Sequence, residues 1–283
     1  MAHYLVDAGD HRTRAWADRW PRTSLSGWSD ANYVDHPASA ATDDQPQGTL
    51  AMWLFTTAAT TRQQVWTKSP TSGTAPTHIE FRLDLVPARI NFRHLRATVN
   101  LLIDAESGLF PAFGANKWIF VAAQWSTTVD ALCKLYVGDE QRPPSEPSAY
   151  VTQTAGSGAL TTDATTPHRV GNHPISLGRP FIGSIEGICI TSVCLGARVR
   201  DLWARGPSGV DVPWLLVSRY GANGAVSPQP DLSGCKLDGT VAGTLVRDLG
   251  RLYPLPQTTR RRWLNKTAAT AKPWHYYAQM RAS

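Results

Sequence analysis

Thr49–Phe55 reads TLAMWLF, an unbroken apolar run of strand length, which predicts a strand buried on both faces. His78–Leu85 (HIEFRLDL) alternates instead. Ile79, Phe81, Leu83 and Leu85 share one face and Glu80, Arg82 and Asp84 the other, the period of a half-solvated antiparallel strand. Further strands are predicted at Gln63–Lys68, Ile90–His94, Ala97–Asp104, Trp118–Trp125 and Leu132–Gly138, and then at Ala149–Thr154, Ile175–Gly178, Phe181–Leu195, Pro213–Gly221 and Gly239–Val246. Tyr33–Gly48 is turn-like, and residues 139–171, rich in Pro, Ser, Thr and Gly, form the longest loop region. One helix is predicted at Ala197–Gly206. Leu195, Val199 and Leu202 fall on one face of it, and Gly206 stands at its C-terminal stop.

Many short strands and one helix predict an all-β fold. Composition agrees with a folded core, since 42% of the 283 residues are hydrophobic and 18% charged. No apolar run reaches the length of a membrane span, and MAHYLVDAGDHRTRAW has acids and arginines where a secretory leader has an apolar core. Neither a membrane location nor secretion by that route is expected. Cys133, Cys189, Cys194 and Cys235 lack CxxC spacing and sit in apolar runs, which favours buried free thiols over a zinc site. Cys189–Cys194 and Cys133–Cys235 bridges both stay open, because pairing depends on Cα separations.

Charge alters the picture at one end. Residues 252–283 hold six bases (Arg260, Arg261, Arg262, Lys266, Lys272, Arg281) and no acid, so the remaining 22 bases and 22 acids cancel and the whole net charge of +6 belongs to the tail. Residues 1–30 are rich in Arg, Asp and Trp without a sustained period. The expected organisation is an N-terminal arm (1–30), a β domain (31–251) and a basic, aromatic C-terminal arm (252–283). In the arms, Trp16, Trp20, Arg260, Arg261, Arg262, Trp263, Trp274, Tyr276 and Tyr277 are candidate docking residues, with aromatics anchoring in a neighbour's pockets and arginines pairing with its acids. Interleaved bases and aromatics would also suit single-stranded nucleic acid, but the docking peptide is the preferred reading.

The order WIFVAAQW, LCKLYVGDE, ISLGRPFIGSIEGICIT and a short amphipathic segment resembles the laminin-G-like branch of the concanavalin A-like lectin/glucanase superfamily. The resemblance is carried by Trp118, Val121 and Ala122, then Leu135, Tyr136, Val137 and Gly138, then Gly178, Phe181, Gly183, Ile185, Glu186 and Ile190. It covers residues 33–206. A second echo, the family's D-x-S-G and G-T-V-x-G element, lies at Asp231, Ser233, Gly234, Gly239, Thr240, Val241 and Gly243. That element opens the module in many relatives, so its place after the helix suggests a permuted order. The resemblance implies a concanavalin A-like antiparallel β-sandwich, a jelly roll with one short helix and extended N- and C-terminal arms.

The catalytic E-x-D-x-x-E run of the family's glucanases is missing, so no catalytic residue is expected. Glu80/Asp84, Asp104/Glu106 and Asp139/Glu140 read as solvated strand-face or turn residues, and Glu186 as a structural hydrogen-bonding group near a sheet edge. His168, His173, Asn172 and Asp163 share a loop without metal-ligand spacing. No cofactor is expected. Calcium held by Asp43, Asp44 or Asp163 is a family-level option without a local loop signature. Trp66, Trp125 and Tyr150 are the candidate sugar-stacking residues, although a tryptophan in an apolar strand also suits the core.

The leading expectation is a non-enzymatic structural protein of a bacteriophage particle, a capsid decoration or tail-associated subunit. Its arms would dock on neighbouring virion proteins and on further copies of itself, and its loops could meet host glycans. The alternative is a soluble glycan-binding, lectin-like module, with a glycoside hydrolase a distant third.

Overall fold

The computed structural model describes residues 23–57, 62–70, 79–85, 88–106, 116–126, 133–160, 162–175, 178–221 and 224–249. These residues lie within the first of two units, 1–251; the second, 252–283, lies outside the described residues, as do Trp16, Trp20 and every docking candidate of the C-terminal arm.

The strands in chain order are β1 Thr23–Ser26, β2 Tyr33–His36, β3 Gln47–Thr56, β4 Gln63–Lys68, β5 Ile79–Leu85, β6 Ala88–His94, β7 Leu101–Glu106 and β8 Lys117–Ser126. They continue as β9 Lys134–Asp139, β10 Thr152–Thr154, β11 His168–Val170, β12 Gly183–Thr191, β13 Trp214–Arg219, β14 Thr240–Ala242 and β15 Val246–Leu249. They form two antiparallel sheets. One runs β15-β1-β12-β3-β8-β9, with β13 also on β12, and the other runs β10-β7-β6-β5-β4-β11-β2-β14.

The inner faces of both sheets make the main core. Leu50, Met52 and Leu54 of β3 and Val121 of β8 meet Phe81, Leu83, Phe92 and Trp66 of the larger sheet, all buried. β3 reads as apolar on both faces because its other side is covered too. Ala51 and Trp53 face outward beside Ala122 and Phe120, with the Trp53 and Phe120 rings edge to face at 5.3 Å. The helix α1, Val199–Arg205, buries Val199 and Leu202, is tied to β9 by Trp203 Nε1 donating to Asp139 O at 2.8 Å, and ends where Gly206 turns to φ 71°. The predicted helix is therefore found, with a 3-10 turn at Gly196–Arg198 in place of its first residues.

Four expectations need correction. Residues 23–30 are not arm: β1 pairs with β12 and β15, Leu25 is fully buried, and Trp28 packs edge to face on Tyr220 at 6.4 Å. Ile175 lies outside any strand, and Tyr33–His36, read as turn, is a strand. Glu186 is not near a sheet edge; it is fully buried at the irregularity where β12 passes β3. The first and last described strands do lie side by side, Thr23 opposite Leu249. All four cysteines are free, with Cys133 and Cys189 buried and Cys194 and Cys235 half-buried.

One inward row of the larger sheet is polar. His94, Ile79, Lys68, His168 and His36 stand opposite one another on β6, β5, β4, β11 and β2, and none of them is more than 4% exposed.

Candidate functional site

The opposite face of the same sheet gathers the polar side chains that HIEFRLDL and INFRH alternate outward. One register row crosses all eight strands: Thr240, Asp35, Arg169, Thr67, Glu80, Arg93, Leu102 and Thr154. Arg82 and Asn91 stand opposite each other in the next row, and Asp84 and Arg89 in the one after. Strand pleating puts these side chains on one side of the sheet in a largely polar layer, in which Thr67, Glu80, Asn91 and Arg169 are buried.

Their pairing is dense. Arg169 holds Asp35 with two parallel hydrogen bonds of 2.8 and 2.7 Å, and its guanidinium lies 3.6 Å over the Tyr33 ring. Glu80, only 3% exposed, accepts from Arg82 and lies 3.2 Å from Arg93 Nε. Arg82 also donates to Asp84 at 3.2 Å, which Arg62 reaches at 2.6 Å. Arg82 thus stands between Glu80 and Asp84 and pairs with both. Both carboxylates are committed to arginines. This corrects the reading of Glu80 as a solvated strand-face group. The Asn91 amide oxygen, in contrast, lies buried beside the arginines without a hydrogen bond.

The loop after β11 completes the surface. Gly171 N donates to Val65 O at 2.9 Å and Gln64 N to Arg179 O at 2.8 Å, so the loop leaves β4 and returns to it. Its excursion brings His173 and Arg179 within electrostatic reach of the row. Burial lowers the His173 pKa; Glu80 opposes this and Arg179, Arg93 and Arg169 reinforce it. Ile175 N donates to His173 Nδ1 at 3.1 Å, so the neutral ring carries its proton on Nε2. The face therefore presents the partly exposed guanidiniums of Arg82 and Arg93 and the carboxylate of Asp84, above the buried Glu80, Asn91 and His173. Polyhydroxylated ligands are recognised by donors and acceptors of this kind.

The three predicted stacking residues are not there. Trp66 is buried against His168, with rings at 5.7 Å and 29°. Trp125 is buried on Phe92 at 5.4 Å, and its indole N–H donates to Gln45 O at 3.1 Å. Tyr150 is half-buried, and its hydroxyl accepts from Leu135 N at 3.1 Å and donates to Glu146 at 3.4 Å. Phe55 and Trp118 are a half-exposed pair on the outer side of the smaller sheet, but at 58° they offer no flat platform. Aromatic positions are the sugar-binding signal a sequence shows most plainly, and Glu80 and Asp84 look solvated in it. The available signal was that β5 and β6 both place arginine and an acid or amide on one face in adjacent strands.

No family model and no curated protein matches this sequence. Solved structures do. A protein from Bacteroides ovatus, provisionally described as carbohydrate binding, superposes with a TM-score of 0.54 at 13% identity over 81% of this chain. The chain spans 60% of the length of that protein. A heptameric SAP-like pentraxin from Limulus polyphemus gives 0.49 at 12% identity, over 82% of this chain and 96% of that one. Mouse laminin α1 domains LG4-5 give 0.42 at 14% identity, over 61% and 42%.

The chain has a concanavalin A-like jelly-roll fold. At these identities the likeness is one of fold, and the arrangement of two antiparallel sheets with one short helix agrees with it. The surface described above is the outer face of the jelly roll's larger sheet.

Proposed function

We propose that this jelly roll is a non-catalytic glycan-binding module. Its sugar-binding surface is the outer face of the larger sheet around Arg82 and Arg93. The observation that carries the reading is the pair Arg82 and Arg93, 16% and 33% exposed, held in place by the buried Glu80. Held guanidiniums lose little entropy when they bind, and their remaining N–H groups can donate to sugar hydroxyls or carboxylates. The Bacteroides ovatus protein that shares the fold, described as carbohydrate binding, lends support. Titrating the protein with neutral and acidic oligosaccharides tests it. Arg93→Ala should weaken binding roughly tenfold, the loss of one charge-assisted hydrogen bond, with the melt little changed. Binding untouched by Arg93→Ala and Arg82→Ala together would place the sugar elsewhere or remove it.

A second role, as a structural component of a bacteriophage particle that displays this module, rests on the charge segregation of the chain. Six bases and four aromatic docking candidates crowd into residues 252–283, next to a domain whose charges cancel. On that reading the tail and residues 1–22 grip neighbouring virion subunits or further copies of the chain, and the module faces host surface glycans.

A further inference from the structure

The three acids to which the family resemblance would assign calcium do come together. Oxygens of Asp43, Asp44 and Asp163 lie within 4.8 Å of one another where the loop after β2 meets the loop before β11. The residues around them do not fit a metal. Lys68, at the end of β4 and with no exposed surface, sends its ammonium into the cluster, 2.5 Å from Asp163 Oδ1 and 2.6 Å from the carbonyl of Thr42. A carboxylate and a backbone carbonyl are the ligands a hard divalent cation would take. Here an ammonium takes them.

We infer that Lys68 is the resident cation of this cluster, so that the jelly roll clasps its two loops with a side chain and has no use for a divalent ion. The remaining bonds of the cluster agree. Asp163 N donates to Asp43 Oδ1 at 2.8 Å, Thr162 Oγ1 donates to the same carboxylate at 3.2 Å, and Asp44 N lies 3.3 Å from Asp163 Oδ1. Each loop therefore binds the other directly, and the ammonium adds charge where a metal would. A buried carboxylate such as Asp163 stays ionised only beside a positive partner. Lys68 lies on the same rigid strand as Trp66, so it is held at the cluster by the sheet itself. A metal taking Asp163 and the Thr42 carbonyl would have to displace an ammonium that has no exposed surface. This inference is independent of the glycan reading, because it is measured on the cluster alone.

The test compares the full chain in chelator and in millimolar calcium, by thermal melt and by calorimetric titration with calcium. The wild-type protein should melt at the same temperature in both and show no saturable calcium binding. Lys68→Ala should melt lower in chelator by roughly 10 °C, because it strands a buried carboxylate. Calcium should restore most of that loss and bind with one-to-one stoichiometry. Should Lys68→Ala fail to fold in chelator, refolding it with and without calcium gives the same comparison. Saturable binding of calcium by the wild-type chain, abolished by Asp43→Asn, would overturn the inference. So would a Lys68→Ala protein that gains nothing from calcium.

Discussion

His168 stacks on Trp66 at 5.7 Å, and its Nε2 lies 3.1 Å from the hydroxyl of Thr42, the residue whose carbonyl receives the Lys68 ammonium. A histidine and a lysine on neighbouring strands are thus tied to one threonine inside the sandwich. The row continues to His36, whose Nδ1 meets the Leu237 carbonyl at 2.6 Å and whose Nε2 meets the Tyr220 hydroxyl at 3.0 Å.

Such a row should make the fold acid-sensitive. Burial lowers the pKa of His36 and of His168, and for His168 the nearby Lys68 adds to it; His173 on the outer face is lowered by burial as well. A histidine whose folded pKa lies below its unfolded value of about 6.5 stabilises the fold above that pH, and the contribution is lost as pH falls. Asp163 acts in the other direction. Burial raises it to about 6 despite Lys68, so its contribution is present below the unfolded carboxylate range and fades as pH rises toward 6. Three histidines against one acid leave a net loss of stability between pH 7 and pH 5. Melts across that range should show a falling midpoint, and His168→Phe, which keeps a ring on Trp66, should flatten the slope. A midpoint independent of pH would show that the row is not sensed.

The Asp35–Arg169 pair should be sensitive to shape as well as charge. Arg169→Lys keeps the charge but loses the two-pronged bond and the stack on Tyr33. A cost of about 1–2 kcal/mol is expected in chemical denaturation, because the guanidinium side chain is only 9% exposed. Equal stability of the lysine variant would mean that the pair behaves as a solvated one.

Between β3 and β8, Phe120→Ala should cost about 3–5 kcal/mol, since the ring is fully buried edge to face on Trp53. A loss below 1 kcal/mol would mean that this side of the smaller sheet is loosely packed.

Much of this architecture was legible from period alone. β3, β4, β5, β8 and β9 coincide with the most strongly patterned runs, and Leu195, Val199 and Leu202 bury the helix face that their spacing marked. The short strands escaped for a physical reason. Thr23–Ser26 and His168–Val170 are too short to show a period, and tertiary pairing holds them: Leu25 sits opposite Ile185, and His168 lies between Lys68 and His36. The site escaped for a different one. Nothing in the local run tells an outward Glu80 exposed to water from an outward Glu80 covered by two arginines, because Arg93 comes from the next strand. The acidic cluster was named in part by its residues, Asp43, Asp44 and Asp163, but Lys68 read only as the end of a strand.

Trp28 gives a separate check on where the globular fold begins. It belongs to a segment read as arm, yet it is 6% exposed, and a Cβ added at Gly171 would come within 2.0 Å of its ring. Gly171 also has φ 89°, so alanine is strained there whatever the space. Gly171→Ala and Trp28→Ala should each lower the melt by several degrees, and together by less than the sum, since both break one contact. Full additivity would separate the two residues and return Trp28 to the arm.

The basic tail calls for a different experiment, because its expected partner is another chain. Removing residues 252–283 takes away six positive charges and no negative one, leaving a domain of 22 bases and 22 acids. None of the described strands lies in that segment, the last being Val246–Leu249, so the truncated jelly roll should melt close to the full chain. Docking should behave oppositely. If the tail grips an acidic neighbour, the full chain should assemble with further copies or with particle proteins, and the truncated one should not. Changing Arg260, Arg261 and Arg262 to Ser should weaken that assembly more at low salt than at high salt, because exposed charges are screened beyond about 8–10 Å. Sedimentation at two ionic strengths reads both effects. A truncated chain that assembles as well as the full one leaves the tail without a docking role, and a truncated chain that unfolds makes the tail part of the core.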